Sequence, residues 1–390
     1  MKFYGRFLFL SVVLILTLFM IINPRETVDA ALAGIKLWYA VLLPALLPFL
    51  ITGELMVNTG FVVFLGIVLE PVMRPLFRLP GCSSLVVALG FTSGFPMGAV
   101  VTRRLYEEKL LTANEAERLV SFTNNSSPLF IVGAVGVGML ASPVLGYILA
   151  AAHYLSNLLI GLIWRFHGPL PAPETSSSSI WKRAWEEFRN YQSPGPGRLL
   201  GDAIKNSLNN ILAIAGFVIF FSLLTRMLAV TGIMESAAIF ISSVLGVLQV
   251  DYSMAYALAT GFFEITLGTN AAAGIESSLP GKMVIISIIM AFSGCSIIAQ
   301  VMSIVSGLPI RFSRYLASRL LQIVLSAIIT VAACHLTAPL ETLPTSTTLN
   351  RALYSFDAWG LSLLCMFGGL LLLLFLVIIS LVINVKNHRS

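Results

Sequence analysis

The sequence predicts an all-α polytopic membrane protein built on an inverted internal repeat, each half carrying an interfacial helix and a re-entrant hairpin. Three observations lead there. Apolar residues make up 57% of the 390 and charged residues 11%, with a mean hydropathy of +0.91, whereas a soluble domain carries about 25% charged residues. Apolar runs near the length of a bilayer crossing, roughly 20 residues, recur along the chain. Glycine-rich polar stretches interrupt that pattern twice, near Gly90 and near Gly261.

The first apolar run, 7–22, follows Lys2 and Arg6 as a signal peptide would. Asn23-Pro24-Arg25-Glu26 stands where a small-residue cleavage site would be, so a retained transmembrane helix is expected. Further spans are expected at 37–57, 121–140, 143–164, 207–228, 283–305, 316–335 and 359–382. In 61–79, Glu70, Arg74 and Arg78 recur every fourth residue and share one helical face. With Pro71 and Pro75 weakening its second half, this segment predicts an amphipathic helix at the membrane surface. Segment 233–250 is a weaker example, with Glu235, Ser236, Ser242, Ser243, Gly246 and Gln249 roughly on one side, and a short true span stays open. Stretches 85–101 and 256–274 hold Gly-Phe-Thr-Ser-Gly-Phe-Pro-Met-Gly (90–98) and Gly-Phe-Phe-Glu-Ile-Thr-Leu-Gly-Thr-Asn (261–270). Such density of glycine, proline and hydroxyl residues frees backbone groups, which lipid tolerates only when they are buried in protein or line a polar cavity. Both predict re-entrant helical hairpins.

These features occur twice in the same order. Gly60 pairs with Gly232, Gly90 with Gly261, Phe122 with Phe292 and Gly136 with Gly307, at offsets of 170 to 172 residues. Duplicated transporter folds leave this kind of trace. With the N-terminus inside, interfacial helices and hairpins that enter and leave on one side, each repeat crosses three times and the second is inverted. All of the 24 Lys and Arg residues except Arg25, Lys36, Arg226, Lys282 and Arg351 then fall inside, Arg311, Arg314 and Arg319 among them. The net charge of +6 therefore reflects topology and anionic lipid, not nucleic acid. The expected organisation is an N-terminal helix and loop (1–35), a first repeat (36–166), a cytoplasmic linker (167–202), a second repeat (203–337), and an external loop with a C-terminal helix (338–390), both termini inside. Proline, serine and glycine mark the linker as a flexible tether with a short helix near 181–191. Thr112-Ala-Asn-Glu115 predicts a capping box opening a helix towards Asn124.

Glu264 is the sharpest candidate site residue, because a carboxylate among Phe262, Phe263, Ile265 and Leu267 is costly in a bilayer core unless paired or hydrated. It serves a substrate hydroxyl, a cation or a proton, or else structural amides at the hairpin tip. Glu54 lies near the inner end of its span. Asn124 and Asn125 precede Ser126-Ser127-Pro128, where proline breaks the helix, and broken helices offer amides and carbonyls to ligands. The equivalent region of the second half is 293–296, with Gln300 one turn on. Thr92 and Ser93 at the first hairpin, and Thr266, Thr269 and Asn270 at the second, complete a candidate polar cavity. No HExxH, P-loop or CxxC motif occurs, and His153, His167, His335 and His388 are scattered. An enzyme, a cofactor and a metal site are therefore not expected.

The runs Glu70-Pro-Val-Met-Arg-Pro-Leu-Phe-Arg-Leu-Pro80, Gly90-Phe-Thr-Ser-Gly-Phe-Pro-Met-Gly-Ala99 and Thr123-Asn-Asn-Ser-Ser-Pro128 resemble the YlbJ family of sporulation integral membrane proteins, which carries the nucleoside-recognition Gate domain. The resemblance implies an endospore-forming Gram-positive source and a role in spore cortex formation. The order of elements is more distantly similar to concentrative nucleoside transporters, whose hairpins bind nucleoside and coupling ion; Thr92, Ser93 and Glu264 would be the counterparts. The expected partners are the lipid bilayer, a small polar solute, a coupling ion (Na+ or H+) and, in a homo-oligomer, further copies of the chain. Two functions stay open: a secondary transporter or permease moving the solute by an elevator-like displacement of the hairpins, and a non-transporting scaffold or sensor in cortex assembly.

Overall fold

The computed structural model describes residues 3–167, 180–248 and 250–337, together with helical positions 371, 375 and 378. The expected span 359–382 lies otherwise outside the described residues. Every regular element among them is helical.

Helices α1 (Phe3–Ile22) and α2 (Pro24–Leu37) meet at Asn23, where Pro24 opens the second helix. The chain turns there by 111°, so the first apolar run belongs to a bent pair. Helix α3 (Leu43–Asn58) follows a π-helical turn and runs to Thr59–Gly60. Gly60 takes φ +76°, a left-handed conformation that glycine reaches without steric cost. There the chain bends by 84° into α4 (Phe61–Phe77).

Helix α4 lies across α3, with its apolar face turned into the protein. Val62, Leu65, Val68, Leu69, Val72 and Met73 are buried in the body of the protein. Glu70 and Arg74, one turn apart on α4, form an ion pair, and Glu70 also accepts from the Gly81 amide at 2.5 Å.

Both expected hairpin stretches form pairs of short helices. The first consists of α5 (Ser83–Thr92) and α6 (Met97–Glu107), and α5 is buried from Ser83 to Phe91. Ten residues of α-helix reach about 15 Å, half of a hydrocarbon core of about 30 Å. The expected span 121–140 is not continuous. Helix α7 (Ala113–Thr123), opened by the predicted Thr112–Glu115 capping box, stops at the Asn124–Pro128 break, and a π-helical segment, Leu129–Met139, continues it. Helix α8 (Pro143–Trp164) has the predicted bounds of a span.

The linker corrects the sequence expectation. Its helix α9 (Ile180–Asn190) docks on α4, placing Trp181, Trp185 and Phe188 around Phe64 at ring-centroid separations of 5.9, 5.3 and 6.0 Å. Tyr191 covers Gly60, and Ser193 donates to the Asn58 carbonyl at 3.2 Å. Residues 180–193 are a strap on the α3–α4 elbow rather than a free tether, held by ring contacts of Trp181, Trp185 and Phe188 with Phe64.

The order of elements then recurs. Helix α10 (Pro196–Val230) ends at Thr231–Gly232, where Gly232 takes φ +73°, and α11 (Ile233–Leu245) follows. The two elbows share a further detail. Thr59 Oγ1 donates to the Leu55 carbonyl at 2.8 Å, and Thr231 Oγ1 donates to the Met227 carbonyl at 2.8 Å. At 13 residues, α11 spans only about 20 Å, too short for a straight crossing, and Ile239, Phe240 and Val244 are exposed along it. The second hairpin is α12 (Tyr252–Phe263) and α13 (Ile265–Ala273), crossing where Gly261 meets Gly268. Helices α14 (Leu279–Phe292) and α15 (Gly294–Ile304) meet at Ser293, φ +69°, and α16 (Phe312–Thr337) closes the described fold.

Four helices or helix pairs are long and apolar enough to cross a membrane, or six if each bent pair is one span, among the described residues. Of the eight expected, four are these, two are arms of the bent pairs, 121–140 is broken, and 359–382 lies outside the described residues. The Gly136–Gly307 match has no structural counterpart: Gly136 packs against Gly146, whereas Gly307 lies in the turn after α15.

The first hairpin is seated by backbone contact. A Cβ at Gly90 would lie 2.2 Å from the Thr123 carbonyl oxygen, and one at Gly98 would lie 2.4 Å from it. Gly98→Ala is expected to cost about 1–3 kcal/mol through overpacking, read as a lowered melting temperature of the purified protein. Gly201→Ala, where a Cβ meets nothing within 4 Å, should leave melting unchanged or raise it slightly. Equal behaviour of the two variants would contradict the seating.

Candidate functional site

The Asn124–Pro128 break lies where the first hairpin, α8 and α16 converge. Proline lacks an amide hydrogen and steers the residue before it away from helix, and Asn124 is extended at φ −90°, ψ 97°. A helix ending inside the protein leaves its last carbonyls without intrahelical partners, and buried backbone groups must find others.

Here nearly all of them do. Asn124 Nδ2 donates back to the Val120 carbonyl at 2.8 Å, and Asn125 Nδ2 to the Phe122 carbonyl at 3.3 Å. The Thr123 carbonyl is pressed between Gly90 and Gly98. Arg319 of α16 donates through Nη2 to the Ser121 carbonyl at 2.8 Å and to Asn157 Oδ1 at 3.1 Å, and through Nη1 to the Asn124 carbonyl at 3.1 Å. The Ser126 amide donates to His153 Nε2 at 3.1 Å, and Tyr154 Oη donates to the Ser126 carbonyl at 2.9 Å. Because a backbone amide can only donate, Nε2 is the unprotonated nitrogen of His153 and Nδ1 carries the hydrogen. The Gln322 side chain stands 3.4 Å from Nδ1. Gln322 Nε2 also donates to the His153 carbonyl at 3.5 Å.

Arg319 is wholly buried and is not one of the loop cations with which it was grouped from sequence. His153 is likewise central rather than scattered. A signal for both was present: Tyr315, Arg319, Gln322, Ser326 and Thr330 fall on one face of α16 at spacings of three and four, and all are buried. Ser326 meets Ser287 of α14 at 2.7 Å, and Thr330 donates to Ser287 at 2.8 Å.

The predicted site residues divide. Thr92 Oγ1 donates to the Ala88 carbonyl of its own helix. Both ends of the Asn124 side chain are spent, since Oδ1 accepts from the Ala99 amide at 2.9 Å, so Asn124 clamps the hairpin to the break. Ser93 Oγ and Asn125 Oδ1 are buried without a protein partner, as is Ser126 Oγ. In the second half, Glu264 is half-buried and caps α13, accepting from the Leu267 amide at 2.7 Å. Thr266 is half-buried, Thr269 bonds its own helix, Asn270 is exposed and Gln300 is buried. Gly294 packs against the Gly261 and Phe263 carbonyls, so this hairpin tip too meets the break of the following span. The two tips are bridged by apolar side chains of one cluster, Phe95, Ile131, Ile265 and Ile297. Among the described residues, no hydrogen bond joins Glu264, Thr266 or Asn270 to the polar groups of the first half. Glu54, the remaining carboxylate of interest, accepts from Asn206 Nδ2 at 3.1 Å.

Two contacts tie the halves together at the basic end of the molecule. Arg103 donates to the Ile304 carbonyl at 2.6 Å, beside a cleft of about 560 Å³ lined by Tyr106, Lys109, Thr112 and Ser306. Glu117 accepts three hydrogen bonds from Arg311 and pairs with Arg314 at 2.9 Å. Burial alone would raise the Glu117 carboxyl, but those hydrogen bonds and the two guanidinium charges hold it below the ordinary carboxylate value.

Sporulation integral membrane protein YlbJ of Bacillus subtilis (strain 168) is 40% identical over 331 residues, covering 82% of this chain and 80% of its own. The chain belongs to the YlbJ family. It is thus a multi-pass integral membrane protein with homology to a sporulation protein. An uncharacterized protein of Alkalihalophilus pseudofirmus is 27% identical over 289 residues, 66% of this chain and 60% of its own. No family model matches the chain, and no solved structure does.

Arg319→Met removes the donors to two buried carbonyls and Asn157, and each unsatisfied group costs about 1–3 kcal/mol. The expected result is a melting temperature well below wild type, whereas Arg198→Met, at an exposed side chain paired only with Asp202 of its own helix, should cost much less. Equal losses would contradict the role given to Arg319.

Proposed function

We propose that the protein is a secondary transporter for a small polar solute, acting in sporulation during spore cortex formation, with its N-terminus and basic loops on the cytoplasmic side. One observation carries this proposal. Ser93 Oγ, Asn125 Oδ1 and Ser126 Oγ are buried without protein partners, at a break whose carbonyls at 120–122, 124 and 126 have donors. Buried polar atoms left unpaired cost free energy, and a solute bearing hydrogen-bonding groups would remove that cost.

The repeated order of elbow, hairpin and broken span supports the same proposal, since secondary transporters bind solutes where paired repeats bring broken helices together. An inverted relation between the halves is part of the proposal. Glu264 caps a short helix and pairs with no cation among the described residues, which suits a coupling Na+ or H+. The sporulation role follows the name of the B. subtilis relative. The Gate-domain resemblance read from the sequence motifs is the reason to try nucleoside-like solutes first.

The test is uptake into proteoliposomes holding the full chain, over a panel of nucleosides and other polar solutes. Ser93→Ala with Ser126→Ala, two hydroxyls without protein partners, should lower uptake roughly tenfold or more, equivalent to about 1.4 kcal/mol, at an unchanged melting temperature. Glu264→Gln should abolish the dependence on the coupling ion. Wild-type vesicles that take up and bind no solute in the panel, or variants with full flux, would overturn the proposal.

A further inference from the structure

Three arginines meet at the basic end of the fold, away from the break. Arg78 caps α4, Arg118 lies in the middle of α7 and Arg165 follows α8. Arg118 is 3% exposed. Its guanidinium joins the other two through their backbones, donating to the Arg78 carbonyl at 2.7 Å and to the Arg165 carbonyl at 3.4 Å. The Arg78 and Arg165 guanidiniums lie over the ring of Phe166, at 5.1 and 5.3 Å from its centroid.

No carboxylate pairs with these three among the described residues. Glu117 is committed to Arg311 and Arg314, and the Glu115 carboxylate closes the capping box on Thr112. Two donors are left over: Arg118 Nε and Arg165 Nε are buried without partners. Burial lowers the Arg118 guanidinium from its ordinary value; Glu115 opposes this, and the nearby charges of Arg78 and Arg314 add to it. Three crowded cations, one almost fully buried, call for an anion that accepts several hydrogen bonds at once. Phosphate does this best, because guanidinium groups match its oxygens in pairs.

The position selects the source of that phosphate. Helix α8 is long and apolar enough to span, and it ends at Trp164, so Arg165 and Phe166 stand at the bilayer boundary. Phe166 is 67% exposed beside Trp164, the aromatic pattern of the headgroup layer. Leu76 and Ile163, each two residues before one of these arginines, are exposed apolar side chains suited to acyl chains. We propose that Arg78, Arg118 and Arg165 form a binding site for the phosphate of an acidic phospholipid. Basic pockets between membrane helices bind such headgroups.

The test uses the purified full chain in detergent, titrated with dioctanoyl phosphatidylglycerol, dioctanoyl phosphatidylcholine or inorganic phosphate, and read by native mass spectrometry and melting temperature. Phosphatidylglycerol should bind and raise the melting temperature, and phosphatidylcholine should do neither. Arg78→Gln with Arg165→Gln, both half-buried positions, should weaken binding at least tenfold while lipid-free melting stays at the wild-type value. The Arg78→Lys, Arg165→Lys pair should recover part of it. If that glutamine pair fails to fold, the lysine pair carries the test, with weakened binding expected. Equal binding of both lipids, undiminished binding in the variants, or equal stabilisation by inorganic phosphate alone would overturn the proposal, the last by assigning the site to a soluble anion.

Discussion

A helix that breaks inside a membrane protein exposes amides and carbonyls that neither lipid nor a neighbouring apolar side chain can satisfy. In this chain the break at Asn124–Pro128 persists because α16 delivers a guanidinium to it. Arg319 binds the Ser121 and Asn124 carbonyls and Asn157 together, and so fixes α7, α8 and α16 around one point. His153 and Tyr154 complete the support from α8. The first hairpin depends on this arrangement, since Gly90 and Gly98 seat on the Thr123 carbonyl at the end of α7. What remains polar and unpaired at the break after this accounting is small, Ser93 Oγ, Asn125 Oδ1 and Ser126 Oγ, and the proposed solute site rests on it.

The second half repeats the plan with different means. Its hairpin turns at Glu264, and its broken span turns at Ser293 and Gly294 through positive φ rather than through proline. Glycine there approaches the carbonyls of Gly261 and Phe263 much as Gly90 and Gly98 approach Thr123. No arginine of the Arg319 kind is needed, because a left-handed turn shortens the interruption to a single step and leaves fewer carbonyls stranded. The break of the first half is therefore supported by a buried polar network that reaches it from α8 and α16, whereas the hairpin tip of the second half carries the Glu264 carboxylate as a helix cap.

Much of this was legible in the sequence where the cause is local. Gly60 and Gly232 mark elbows because only a residue without Cβ takes positive φ freely. Pro128 marks a broken helix, and Thr112 with Glu115 marks the start of α7. The features that were not legible depend on distant partners. Arg319 lies one turn inside an apolar run and reads as the inner end of a span, since its partners are almost 200 residues earlier. Asn124 reads as a ligand-facing amide, yet both its polar ends are used in holding the hairpin. The linker reads as a tether because its composition is that of a loop, while the aromatic cluster that docks α9 on Phe64 is visible only once α4 is in place. Span number suffered for the same reason: hydropathy registers a run of apolar residues and not the bend that divides it.

The central claim is that the polar atoms at the supported break form a solute site that water and small solutes reach, not a sealed structural network. Thiol accessibility tests this directly. Ser126→Cys and Ser93→Cys, each in the otherwise unchanged full chain in membrane vesicles, should react with a small methanethiosulfonate reagent. Thr102→Cys, at a buried position whose hydroxyl serves its own helix, should not. Failure of both serine positions to react under conditions that label an exposed control cysteine would contradict the claim.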